Sequence, residues 1–167
     1  MRRRRASPKR PETTSTSDVV EIESFRPFRR WILHIPIDPV PASRPRFSRT
    51  GRVYYGKRYT QFRKTADDIF TRSKFPRAFP LEGQLAVAAT FNVVKPRTSK
   101  RDTPNGDIDN YFKTLDVLNG IVWGDDDQLV WASMSKQFAE RPGIVLEVAR
   151  VERVPTTRAM SKLWLEG

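Results

Sequence analysis

Six aspartates, Asp107, Asp109, Asp116, Asp125, Asp126 and Asp127, crowd into "NGDIDNYFKTLDVLNGIVWGDDDQLVW" at 105–131, in a chain with 19 acidic residues against 31 Lys plus Arg. That crowding restricts how the segment can fold. Ile108, Tyr111, Phe112, Leu115 and Leu118 recur at helical spacing, so a helix can bury them only by turning Asp109, Lys113 and Asp116 outward at i, i+4 and i+7. Asp109 suits the N-cap and Asn119-Gly120 suits the end. "IVW" reads as a short strand and "GDDDQ" as a turn. Only residues 120–124 join helix to turn, so Asp107, Asp109 and Asp126 are expected to converge at one end of the helix. Two carboxylates about 5 Å apart repel by roughly 3 kcal/mol at an effective dielectric of about 20. A converged cluster therefore needs a cation. With oxygen donors alone the ion should be hard: Mg²⁺, with Mn²⁺ able to substitute. Taken singly, each acid has a plainer role, as a cap, a solvated turn residue or a loop charge.

The rest of the composition removes other chemistries. There is no cysteine, hence no disulfide, thiolate metal site or cysteine nucleophile, and the single histidine is His34. No apolar run approaches the roughly 20 residues of a membrane span, and "MRRRRASPKRPETTSTSD" has no apolar stretch that would make it a secretory signal. A formal net charge of +12 points to a polyanionic partner.

Residues 1–24, rich in Arg, Pro, Ser and Thr, read as a disordered basic arm. Residues 154–167 read as a basic tail, with a short helix ending at "LWLE". Between them, 25–153 form one domain. "RRWILHIPIDPVP" (29–41) is a first strand closed by Pro39 and Pro41. "RFSRTGRVYYG" (46–56) is a hairpin around Thr50-Gly51. Residues 59–73 carry Tyr59, Phe62, Ala66, Ile69 and Phe70 on one helical stripe. A second strand spans 83–94 and a loop follows at 95–106. After the aspartate-bearing helix come strands at 129–138 and 144–152, expected to pair antiparallel. The class is α+β: a small mixed sheet with antiparallel hairpins and two helices packed on it.

A divalent ion held by Asp107, Asp109 and Asp126 would acidify a water and polarise a phosphodiester. Lys113 could stabilise charge growing on the phosphate, or simply pair with Asp109. Lys95, Arg97, Lys100 and Arg101 in the loop suit neighbouring phosphates, which fix position without reading sequence. Arg44, Arg46, Arg49, Arg52, Lys57 and Arg58 form a second basic segment, interleaved with Phe47, Tyr54, Tyr55 and Tyr59. Most of these aromatics are expected in the core, although an exposed one could stack on an unpaired base.

"GDIDNYFKTLDVLNGIVWGDDDQ" resembles the signature of the RusA-type Holliday junction resolvases, an endonuclease family of bacteria and phages. "PVPASRPRFSRTGRVYY" resembles that family's N-terminal segment. The likeness runs from about residue 31 to 150 and implies a RusA-like fold acting as a homodimer. It implies Mg²⁺-dependent paired nicking of four-way DNA junctions in recombination and repair, in the cytoplasm of a bacterial or phage-infected cell, with no membrane partner. By position, Asp107, Asp109 and Asp126 match the family's catalytic carboxylates, Asp125 a supporting one, and Lys113 the catalytic lysine. Where members often carry a basic residue or Pro before the first Asp, this chain has Asn105-Gly106. The strand face of Val130, Ala132, Met134 and Phe138 is a candidate dimer interface or core. The rival readings are a general branched-DNA nuclease, a non-catalytic basic nucleic-acid-binding protein and a basic scaffold for a protein partner.

Overall fold

The computed structural model describes residues 23–155. The expected arm and tail lie outside these residues, except that β-structure takes in Glu23 and Ser24 at one end and Val154 and Pro155 at the other, which pair with each other. A four-stranded sheet forms the body, in the order β1-β6-β4-β5. Its strands are β1 (Glu23–Ile35), β4 (Leu85–Val94), β5 (Leu129–Ala139) and β6 (Gly143–Pro155). β2 (Arg46–Phe47) and β3 (Val53–Tyr54) make a separate hairpin. The helices are α1 (Lys57–Arg72) and α2 (Ile108–Phe112), the latter continued by a 3₁₀ segment, Lys113–Leu118.

The α+β class, the mixed sheet and the two helices match expectation. Three local expectations do not. β1 starts earlier than Arg29 and stops at Ile35, before Pro36. Pro27, which has no N–H to donate, is accommodated by a register shift between Pro27 and Arg29. "IVW" is no strand: it curls after Gly120 (φ +76°), with Gly120 N–H donating to Trp123 O at 2.7 Å and Trp123 Nε1 to Asn119 Oδ1 at 2.6 Å. Finally, β5 and β6 do not pair. β5 lies parallel to β4, while β6 sits between β4 and β1, antiparallel to both. The physical reason is the crossover: 95–128 returns the chain to the starting end of β4, so the next strand must run parallel.

One sheet face is the core. Leu33 and Ile35 of β1, Ile144, Leu146 and Val148 of β6, and Val87, Ala89 and Phe91 of β4 meet Tyr59, Phe62, Ala66 and Phe70 of α1. These α1 positions are the predicted stripe, with Ile69 partly buried beside it. The other face carries polar pairs: Arg30–Glu147 at 3.0 Å, Ser135–Thr90 at 3.0 Å, Gln137–Asn92 at 2.9 Å. On β5, Met134 packs against the core and the Lys95 ammonium lies 5.4 Å from the Phe138 ring centre. That face is thus partly core. Tyr59 joins α1 to the 3₁₀ segment through a long 3.4 Å contact from its hydroxyl to Asp116, and burial, aided by that carboxylate, pushes its phenol up to about 12.

Candidate active site

α2 is short because its own sequence interrupts it. Thr114, fully buried, turns its Oγ1 back to Tyr111 O at 2.6 Å, and the chain tightens to 3₁₀ from Lys113. Asp107, not Asp109, is the N-cap, with extended backbone (φ −75°, ψ 146°). Its carbonyl accepts from Asn110 and Tyr111 N–H at 3.1 and 3.3 Å, but its side chain makes no capping bond. Asp109 sits in the first turn, exposed, where the helix dipole favours negative charge. Lys113 Nζ donates to Asp109 Oδ2 at 2.8 Å. That hydrogen bond and charge hold the Asp109 carboxyl below its ordinary range.

The loop presenting Asp107 is clamped from four directions. Tyr111 Oη donates to Asn105 O at 2.8 Å and Arg101 Nη1 to Asn105 Oδ1 at 2.9 Å. Lys136 of β5 reaches across with its ammonium 5.8 Å from the Tyr111 ring centre, donating to Pro104 O at 3.0 Å and also to Gly106 O. Pro41 presses against Gly106, and Ala42 N–H donates to Asn110 O at 2.7 Å. Gly106 has φ +96° and no room for a side chain, which accounts for its place ahead of Asp107. Lys136 was not singled out from sequence, where it reads as one more strand lysine.

The second aspartate group is a 3₁₀ turn, Asp126–Gln128, with Asp125 as N-cap and a reciprocal capping box to Gln128. Gln128 is the organiser. Its Oε1 accepts from Gly124 N–H at 2.7 Å and Asp125 N–H at 3.1 Å; its Nε2 donates to Leu81 O at 3.1 Å and Gly83 O at 3.0 Å. The sequence showed Gln128 only as a motif letter. Asp125 and Asp126 share a hydrogen bond between their side chains, which lowers the first carboxyl and raises the second. Gln128→Ala should cost about 1–3 kcal/mol in urea unfolding. It should also remove hydrogen-exchange protection at the Gly124 and Asp125 amides; unchanged protection there would show that the amide does not hold the turn.

The two groups stay apart within the chain. Leu129, next to the second group, pairs with Leu85, whereas Lys136, which grips the first, pairs with Phe91. Along β4 these levels lie six residue steps apart, roughly 20 Å. Among the described residues, no three acidic or histidine side chains group closely enough to hold a metal ion. The expected convergence fails because α2 and its 3₁₀ extension run along the sheet and 120–124 do not fold back. Each group nevertheless fits half of a hard-cation site. The donors are oxygen only and exposed. Around them, Lys95, Arg97, Lys100 and Arg101 on the loop are exposed, as are Arg44, Arg46, Arg49, Arg52, Lys57 and Arg58. The interleaved aromatics depart from expectation: only Tyr59 is core, while Phe47, Tyr54 and Tyr55 are exposed, because a hairpin this short has no second layer to bury them.

Residues 36–149 match the family model for Endodeoxyribonuclease RusA, a span containing both aspartate groups, Lys113 and both basic segments. No curated protein matches the chain. No helix among the described residues is long and apolar enough to cross a membrane.

Proposed function

The chain belongs to the endodeoxyribonuclease RusA family, and from that premise we propose that it resolves four-way DNA junctions by paired, symmetric, metal-dependent nicks in recombination and repair. The observation that carries this reading is the Asp109–Lys113 pair, exposed at the start of a helix that a basic loop feeds. Asp107, Asp109 and Asp126 would hold Mg²⁺ or Mn²⁺, with Asp125 supporting Asp126. Bound there, such an ion acidifies a water and polarises the phosphodiester. Lys113, poised against Asp109, transfers its hydrogen bonds to the phosphate as charge grows on it and on the leaving oxygen. The loop cations and those of the hairpin segment fix the flanking phosphates. The enzyme works in the cytoplasm of a bacterial or phage-infected cell.

A homodimer suits this chemistry twice over. A C2 pair offers two equal sites for two cuts. It also resolves the separation of the aspartates: each site would combine Asp107 and Asp109 of one protomer with Asp126 of the partner subunit. The direct test incubates the protein with a synthetic four-way junction, a flapped duplex and a matched linear duplex, in Mg²⁺ and in EDTA. Paired symmetric nicks should appear in the junction alone, and only with Mg²⁺. Equal cutting of flaps would make it a general branched-DNA nuclease, and no cutting a DNA-binding protein.

A further inference from the structure

We infer that the β2–β3 hairpin is a stacking wedge that takes an unstacked base at the branch of a DNA junction; the junction as its target rests on the function proposed above. The hairpin tip is rigid by its own bonding. Gly51 takes φ +76°, and its N–H donates to Ser48 O at 3.0 Å. Ser48 N–H donates to Arg52 O at 2.8 Å, and Arg52 N–H donates to Ser48 Oγ at 3.0 Å. Ser48 Oγ and Thr50 Oγ1 lie 2.9 Å apart. Pairing sets Phe47 opposite Val53 and Arg46 opposite Tyr54. Directly opposed residues share a face, so one side of the ribbon is apolar and the other is cationic and aromatic.

These side chains project into solvent: Phe47 is 73% exposed, Val53 55% and Tyr54 47%. Exposed rings on a basic ribbon narrow the occupant. Between residues 39 and 66 there are eight basic residues and no acid. A partner must therefore offer negative charge and a bare π-face together, which an unstacked nucleotide does. The hairpin is also planted beside α2. Ala42 N–H donates to Asn110 O at 2.7 Å, and Gly56 N–H donates to Ser43 Oγ at 3.0 Å. Tyr55 packs edge-on against Tyr59, ring centres 5.5 Å apart. A wedge at this position would meet the branch while the Asp109 helix meets the neighbouring backbone. A linear duplex presents no unstacked base, so stacking favours the junction, whereas phosphate contacts serve both.

The test places 2-aminopurine at the branch of a synthetic four-way junction and adds the full-length protein in EDTA, which blocks cutting. Fluorescence should change on binding, and Phe47→Ala should abolish the change. The same substitution should lower the junction-over-duplex affinity ratio about tenfold, within the range of one base–aromatic stack, and Phe47→Trp should restore both. Arg49→Ala should instead weaken junction and duplex equally and reduce the salt slope by about one. Circular dichroism melts of the variants, altered only at exposed positions, check folding. A wild-type complex without a fluorescence change, or Phe47→Ala with change and ratio intact, overturns the wedge even if junction nicking proceeds. Loss of Mg²⁺-dependent nicking in the wild type overturns the enzymatic reading, while a Phe47-dependent signal would still support the wedge.

Discussion

Asp109→Asn should reduce Mg²⁺-dependent nicking of a four-way junction by at least about a hundredfold, the upper end for residues that only support a metal ligand. Junction affinity in EDTA should not change, because affinity comes from phosphate contacts elsewhere. The substitution keeps the shape of the side chain and removes the charge that Lys113 grips at 2.8 Å. Unchanged nicking would remove Asp109 from the mechanism. Mixing Asp109→Asn with Asp126→Asn protomers then asks where the third carboxylate comes from. If each site is shared between copies, one of the two sites in a mixed dimer retains every carboxylate, and single nicks return. If each site lies within one chain, both sites lack a carboxylate and mixing restores nothing. The second result would require 120–128 to rearrange on binding DNA.

Gly106→Ala should lower nicking about a hundredfold, the loss that a misplacement of about 1 Å can cause. A Cβ there would meet Pro41 Cγ at 2.9 Å and Cβ at 3.2 Å, at a φ of +96° that L side chains rarely adopt. Asp107 follows directly, so the strain moves a proposed ligand. Stability should fall by about 1–3 kcal/mol in urea unfolding. Pro41→Ala in the Gly106→Ala background removes the nearer steric contact but not the backbone strain, and should restore nicking only in part. Full activity in Gly106→Ala alone would mean that the loop tolerates a shift and that its clamps do not position Asp107.

The elements whose signals are local were legible in the sequence. Tyr59, Phe62, Ala66 and Phe70 announce α1 by spacing, and Thr50-Gly51 announces the hairpin. The aspartates and Lys113 were legible because acids are scarce and their arrangement resembles a known signature. What was hidden depends on distant partners. Ser133, Ser135 and Gln137 alternate with Met134 and Phe138 in any sheet neighbourhood, so nothing in β5 says that it joins β4 rather than β6. Lys136 looks solvent-facing until β5 takes the edge beneath α2. Gln128 acquires its role from the carbonyls of Leu81 and Gly83, more than forty residues away. Segment 120–124 curls locally instead of folding back, so Asp109 and Asp126 part company, which periodicity could not reveal.

The strand order has a consequence for how the chain is made. Among the described strands β1 is synthesised first, yet its sheet neighbour there is β6, which comes last of them and also pairs with β4. Ile35 meets Ile144 only after more than a hundred further residues have been translated, roughly 5–20 s on a ribosome. Until then β1 has no sheet neighbour. Among the described strands the sheet is therefore finished by threading β6 into an interior place, and nascent molecules shield β1 only once β6 has been made.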